Sequence, residues 1–382
     1  MPLQFGVDQF CTHPDRYVAN HRLGLITNPS GVDSQLVSTI DRLQQTGQLV
    51  ALYGPEHGVR GHVQAGEKVA TYRDPKTNLP VYSLYGRTKK PTEEMLAGVD
   101  TLVFDLQDAG CRFYTYLYTL LYALQASAKY QIPLIVLDRP NPLGGEIIEG
   151  NILDEEFTSF VGYPIPIRYG LTIGEMALYF NNVFEIHAPL TVVPMTGWRR
   201  DNYMLEQDMV WVPPSPNIPK IDTTFVYPGT CFVEGTNLSE GRGTTLPFEV
   251  VGAPFIDAEH LADVLNSLDL PGVRFRPTTF VPTFSKHQGQ MCHGVQLHVL
   301  DRRTYQTVRT GLCLIETVAQ LYKEFAFLTP PKEGQRHFFD LLTGTDQVRT
   351  LINNRQPLTS LFVQWEDQQA KFRALSEPFR LY

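Results

Sequence analysis

A glutamate and a histidine stand side by side in Tyr53-Gly54-Pro55-Glu56-His57-Gly58, with Arg60 just beyond. A carboxylate beside an imidazole can hold or move a proton, and Gly54, Pro55 and Gly58 place the pair on a turn. Three further clusters carry similar chemistry: Asp105 with Asp108, then Asp138-Arg139-Pro140-Asn141, then the run from Glu234 to Arg242 with Asn237 and Glu240. Several carboxylates converging on one cleft suit glycoside hydrolysis. That reaction needs one protonated acid for the leaving oxygen and one ionised carboxylate as base or nucleophile. Tyr114, Tyr116 and Tyr118 follow Arg112 and could serve as platforms for sugar rings. Residues two apart on a helix do not share a face, so at most one or two of them can reach a cleft.

These residues need elements to hold them. Glu56 follows the apolar run Leu49-Val50-Ala51-Leu52, and Leu23–Thr27, Pro80–Leu84, Thr101–Leu106 and Pro133–Leu137 read likewise as buried strands. Helical spacing over Ser34–Leu43, Thr92–Leu96 and Phe113–Tyr130 separates them. Strands alternating with helices predict βαβ units and a parallel sheet, with every strand's carboxyl end on one edge. The acidic loops then meet on that edge. Val212-Pro213-Pro214-Ser215-Pro216-Asn217-Ile218-Pro219 cannot be a regular helix or central strand, and is expected to wrap the surface or line a cleft. From about residue 245 the pattern changes. Helices are expected at Ile256–Leu268, Thr307–Phe325, Gln335–Asn354 and Thr359–Leu375, with strands at Val273–Arg276 and Gly294–Val299. The expected architecture is α/β: a Rossmann-like, mostly parallel sheet domain over residues 1–244 and a smaller C-terminal α/β domain over 245–382 that closes the cleft.

Composition sets bounds. The chain has 382 residues, 43% of them hydrophobic and 19% charged, with a formal net charge of −8. That balance argues against nucleic acid as a partner. Five scattered cysteines without CxxC spacing indicate neither a disulfide framework nor structural zinc. No apolar stretch reaches membrane-spanning length, so no membrane insertion is expected. No signal peptide is visible either, which places the chain as written in the cytoplasm; a trimmed export signal would make it periplasmic or secreted. Dinucleotide, NTP and zincin signatures are missing, and neither a cofactor nor a metal is expected. Asp105, Asp108 and Asp138 leave open a Mg²⁺-dependent phosphoryl hydrolase, though without a nucleophilic-aspartate signature. His293 and His298, five apart on a strand, point to opposite faces. His287 lies in a loop, free to contact substrate.

Read together, these segments resemble a known family. Leu25-Ile26-Thr27-Asn28-Pro29-Ser30-Gly31, the Glu56 turn, Ser83-Leu84-Tyr85-Gly86, Phe104-Asp105-Leu106-Gln107-Asp108-Ala109-Gly110, Arg112–Tyr116, Leu137–Pro142 and Glu234–Thr244 occur in that order. The set is similar to the bacterial exo-β-N-acetylmuramidases, long catalogued as a domain of unknown function. The resemblance spans nearly the whole chain. It implies release of N-acetylmuramic acid from the non-reducing end of peptidoglycan-derived glycans or muropeptides. It also implies Glu56 and Glu234 as catalytic carboxylates, and an active-site cleft in the Rossmann-like domain. The expected substrate contacts are His57, Arg60, Asp105, Asp108, Arg112, Tyr114, Asp138, Arg139, Asn141, Asn237, Glu240, Arg242 and His287. Muramic acid carries a lactyl carboxylate, for which Arg112, Arg139 and Arg242 are the candidate partners. Arg168-Tyr169-Gly170 departs from the Arg-His-Gly that the resemblance implies. A catalytically silent muropeptide-binding protein on the same scaffold is the alternative from another class. Oligomeric state is left open.

Overall fold

The computed structural model describes residues 3–18, 20–61, 71–86, 88–159, 162–203 and 209–382. Among the described residues ten strands form two sheets: β1 (Leu23–Thr27), β2 (Leu49–Gly54), β3 (Tyr72–Arg73), β4 (Pro80–Ser83), β5 (Thr101–Asp105), β6 (Leu134–Leu137), β7 (Leu190–Val193), β8 (Val250–Ala253), β9 (Val273–Phe280) and β10 (Cys292–Val299). The helices are α1 (Gly6–Thr12), α2 (Thr39–Gln44), α3 (Glu93–Leu96), α4 (Thr115–Tyr130), α5 (Ile173–Val183), α6 (Ile221–Thr230), α7 (Ala258–Ser267), α8 (Thr307–Leu321), α9 (Phe338–Thr343), α10 (Gln347–Asn353) and α11 (Thr359–Ser376).

The first sheet runs β3-β4-β2-β1-β5-β6-β7. Every pairing in it is parallel except that of the short edge strand β3. Leaving β3 aside, this is the Rossmann order 3-2-1-4-5-6, which reverses between β1 and β5. Strands β1, β5 and β6 are buried at every position, as expected of a parallel sheet covered on both faces. One face packs under α1 and α2 through Phe5, Val7, Phe10 and Ile40. The other packs under α4 and α5 in a core continuous with the C-terminal part. There the second sheet, β8-β10-β9, is antiparallel and three-stranded.

Helix α6 crosses α8 at a contact that only glycine permits. A Cβ on Gly229 would lie 2.1 Å from the Thr307 carbonyl oxygen, and one on Gly311 2.2 Å from that of Gly229. Several elements differ from expectation for local reasons. Helix α2 begins at Thr39 instead of Ser34, because the Asp33 carboxylate captures the Gln35 and Val37 amides and holds the preceding residues in a turn. The helix expected over Gln335–Asn354 is two, α9 and α10, separated at Gly344 with φ +72°. Helices α1, α5 and α6 and strands β3, β7 and β8 lie outside the elements expected from the sequence. For α5 a signal was present, since Thr172 and Glu175 form a capping box.

Candidate active site

Glu56 leaves the carboxyl end of β2 through the Pro55–Gly58 turn, closed by Gly58 N–H donating to the Pro55 carbonyl at 2.9 Å. His57 in that turn adopts φ +72°, a conformation rare for a residue with a side chain, and is 5% exposed. Two hydroxyls reach the Glu56 carboxylate. Thr115 Oγ1, in the first turn of α4, donates to Oε2 at 2.9 Å. Tyr85, just past β4, hydrogen-bonds it as well, and burial together with the Glu56 charge pushes the Tyr85 phenol up to about 12. The positive end of the 16-residue helix α4 therefore faces this carboxylate.

Glu56 and His57 line a tight cleft of about 70 Å³ with Tyr114, Thr115, Asn217 and Arg242. Its remaining walls are aromatic and apolar: Phe113, Tyr116, Tyr227, Phe248 and Ile218. The proline-rich segment is the lid of this space. Its Pro214 carbonyl accepts from Asn28 Nδ2 at 2.9 Å and from Tyr116 Oη at 2.6 Å, which brings Ser215, Asn217 and Ile218 over the cleft. Of the three tyrosines, Tyr114 and Tyr116 face the cleft, and Tyr118 is a core residue donating to the Arg112 carbonyl at 2.5 Å.

Arg242, which lines the same cleft as Glu56, belongs to a charged cluster. Arg242 pairs with Glu234 at 2.6 Å and Glu240 at 3.4 Å, Lys286 pairs with Glu240 at 2.9 Å, and the guanidinium lies 5.0 Å from the Phe248 ring centre. Burial pushes the Glu234 carboxyl up, against the opposing pull of Arg242, and Glu240 adds to the rise. Glu234 thus approaches the cleft from behind Arg242. The loop that carries it is fixed from the β9–β10 connection: Lys286 Nζ donates to the Val233 and Thr236 carbonyls, and His287 Nε2 lies 2.7 Å from the Asn237 carbonyl oxygen. Asn237 itself clamps residues 324–326 through its side-chain amide.

Other expected substrate contacts sit elsewhere, each for a physical reason. Arg112 is fully buried, and its two terminal nitrogens donate to the carbonyls of Asn151, Ile165, Leu342 and Thr343. Burial lowers its pKa to about 10, and no lactyl carboxylate can reach it there. Asp138 receives Gly174 N–H, Thr172 Oγ1, Tyr382 Oη and its neighbouring amide of Arg139, so it ties the start of α5 to the sheet. Burial and Glu175 push it up to about 7, opposed by those donors. Asp105 is held away from the cleft. It forms a buried two-point ion pair with Arg139 at 2.5 and 2.9 Å, with Thr39 as a further donor. Asn141 holds the Leu171 carbonyl and the Leu143 amide. Arg60 is committed to Asp74 by two 2.9 Å contacts and points away from the cleft lining. Asp108 lies behind the cleft wall, where it accepts from Gly110 N–H and Tyr169 Oη. Its other oxygen is buried and makes no hydrogen bond among the described residues, and burial raises its pKa to about 6. Tyr169, at the departure from Arg-His-Gly, is therefore a partner for Asp108 and is itself fully buried. Reading the residues alone missed Thr115, Tyr85, Asn217 and Tyr227. Tyr85 had a signal, since its Ser-Leu-Tyr-Gly segment follows β4 on the same edge.

A carboxylate held by two hydroxyls in an aromatic cleft, at the carboxyl edge of a Rossmann-type sheet, defines a sugar-hydrolase class of site. The comparisons with known proteins agree. Residues 23–222 match the N-terminal and residues 225–382 the C-terminal domain of Exo-beta-N-acetylmuramidase NamZ. The chain belongs to this family. It is 50% identical over 384 residues to the Peptidoglycan beta-N-acetylmuramidase NamZ of Bacillus subtilis (strain 168), covering all of this chain and 91% of that one. Two DUF1343 family crystal structures from Bacteroides fragilis NCTC 9343 share the fold. One has a TM-score of 0.91 at 39% identity and the other 0.79 at 30%, each covering 100% of this chain and 99% of that one.

Proposed function

We propose that the protein is an exo-acting β-N-acetylmuramidase that releases N-acetylmuramic acid from the non-reducing end of peptidoglycan-derived glycans, with the Glu56 cleft as its active site. The observation that carries this reading is Glu56, its carboxylate held by Thr115, lining one aromatic cleft together with Arg242. Family membership and the Bacillus subtilis relative support it.

The two candidate carboxylates occupy opposite environments. Glu56 accepts hydrogen bonds from two hydroxyls at a helix N-terminus and lines the cleft, the position a base or nucleophile needs. Glu234 is half-buried, and its loss of solvent favours the protonated form, the state a general acid needs. Arg242 opposes that protonation while it stays paired with Glu234. The lactyl carboxylate of muramic acid is a competing partner for the same guanidinium. In this proposal substrate draws Arg242 away, which opens the cleft beyond its present 70 Å³ and leaves Glu234 free to protonate. Muramyl specificity and acid formation are then one event. We assign the cleft-forming loops up to Thr244, the proline-rich lid included, functionally to the first domain, residues 1–244, and the cleft wall at Phe248 to residues 245–382.

The test is hydrolysis of a chromogenic β-N-acetylmuraminide, without added metal, by wild type, Glu56→Gln and Glu234→Gln. Full activity in Glu56→Gln would overturn the assignment. Binding of the sugar by wild type without release of product would favour a silent binding protein.

A further inference from the structure

A second hollow opens on the same sheet edge, at the reversal of strand order between β1 and β5 where open α/β sheets take ligands. At about 410 Å³ it is larger than the Glu56 cleft and within the usual range of small-molecule sites, roughly 300–1,000 Å³. It lies on the α1–α2 face. A thin wall separates it from the cleft: Ser30 bonds Asn28, and Asn28 bonds Tyr116 at 2.7 Å.

Its floor is polar and rigid. Arg139 is 2% exposed; its Nε and Nη2 are spent on Asp105 and the Val32 carbonyl, while Nη1 makes no hydrogen bond among the described residues. Gln107 is 3% exposed, and its Nε2 donates to the carbonyls of Asp108 and Pro140, which fixes the amide orientation; Oε1 makes no hydrogen bond among the described residues. The floor thus offers one donor and one acceptor. Because Asp105 cancels the Arg139 charge, a neutral group suits it better than an anion. The walls are aromatic. Trp211 has already given its indole N–H to the Ile218 carbonyl, so its ring is an apolar face, and Phe5 stands beside Arg139 at 4.9 Å. The rim is exposed and apolar: Val210 is 62% exposed and Leu36 51%, the latter held at φ +62°. A bulky apolar side chain kept in solvent by a disfavoured backbone conformation points to a binding role.

A secondary acetamido group has the matching set: one carbonyl acceptor, one N–H donor and a methyl. On a pyranose it comes with a C–H face that packs on an indole ring. We infer that this hollow is a second saccharide site, which takes an N-acetylated amino sugar through its acetamido group. It goes beyond the catalytic reading and would hold another sugar of a glycan near the cleft.

The probe is the β-1,4-linked disaccharide of N-acetylglucosamine, titrated into Glu56→Gln protein and followed by ligand-observed NMR and tryptophan fluorescence. Saturable binding is expected, about tenfold weaker in both Trp211→Ala and Leu36→Gly, and about tenfold weaker again for the de-N-acetylated disaccharide. Glycine accepts φ +62° without strain, so Leu36→Gly keeps the fold and its release of chromogen from a small muraminide. Unchanged affinity in both variants would overturn the proposal. So would equal affinity for the de-N-acetylated sugar, or tighter binding of an alanine dipeptide amide. Turnover by Glu56→Gln would count against the catalytic assignment alone and leaves the Leu36→Gly comparison readable.

Discussion

Glu56 and Asp105 end neighbouring stretches of the same sheet edge, two strands apart, yet they live in opposite chemical worlds. Asp105 is fully buried and saturated by Arg139 and Thr39. Glu56 has passed beyond its strand on a proline-glycine turn, carries one more methylene, and meets a cleft. A carboxylate that ends inside a covered sheet must find a cation and becomes structure, whereas one lifted clear of the edge keeps an open side for substrate.

The comparison can be broken most forcefully at Glu56. Glu56→Gln is expected to lower kcat by roughly 10²–10⁴ while thermal unfolding stays near wild type, the range for loss of an acid–base group. Comparable losses of activity and folding together would erase the distinction between the two acids. Asp105→Ala should do the reverse. Removing one partner of the buried pair leaves Arg139 uncompensated, a cost of about 3–5 kcal/mol in denaturant unfolding. A folded, stable Asp105→Ala protein with no turnover would instead put Asp105 in the chemistry.

Arg242→Lys keeps the charge and loses the two-point fork. KM for a muraminide should rise about tenfold more than KM for the matching glucosaminide. Equal effects on both sugars would remove Arg242 as the lactyl partner. A smaller effect concerns Asp108, whose folded pKa of about 6 lies above its ordinary 3.8. Between those values the folded chain binds the proton that the unfolded chain releases. Stability contributed there falls as pH rises from about 4 and levels off above about 6. Asp108→Asn should flatten that slope in pH-dependent unfolding, and an unchanged slope would reassign it. Smallest of all for activity is Arg60→Ala. It touches catalysis least, with KM unchanged, while loss of the partner to the buried Asp74 carboxylate should cost about 1–3 kcal/mol in denaturant unfolding.

Much of this was legible in the chain. Apolar runs ending in polar turns located β1, β2, β4, β5 and β6, and their alternation with helices gave the parallel sheet and its chemically active edge. The Glu56 turn was visible because Pro and Gly exclude regular structure there. What sequence could not rank was the fate of equivalent polar residues at equivalent positions. Arg112, Arg139 and Arg242 looked alike as cations for a lactyl group. Arg112 is drawn inward by four carbonyls from residues 151, 165, 342 and 343, partners up to about 230 positions away. Arg139 is captured by Asp105, and only Arg242 reaches the cleft.

The sequence by itself determined which loops would carry the chemistry, since strand periodicity and turn residues are local and put every strand's carboxyl end on one edge. It also determined the family, through motifs spread over nearly the whole chain. Tertiary structure alone decided which acids on that edge line the cleft and which are buried in ion pairs. That choice depends on burial and on partners distant in sequence, as when Thr115 and Tyr85 converge on Glu56 from different elements. No local pattern encodes such a meeting, because it exists only once the sheet has brought β2, β4 and α4 together.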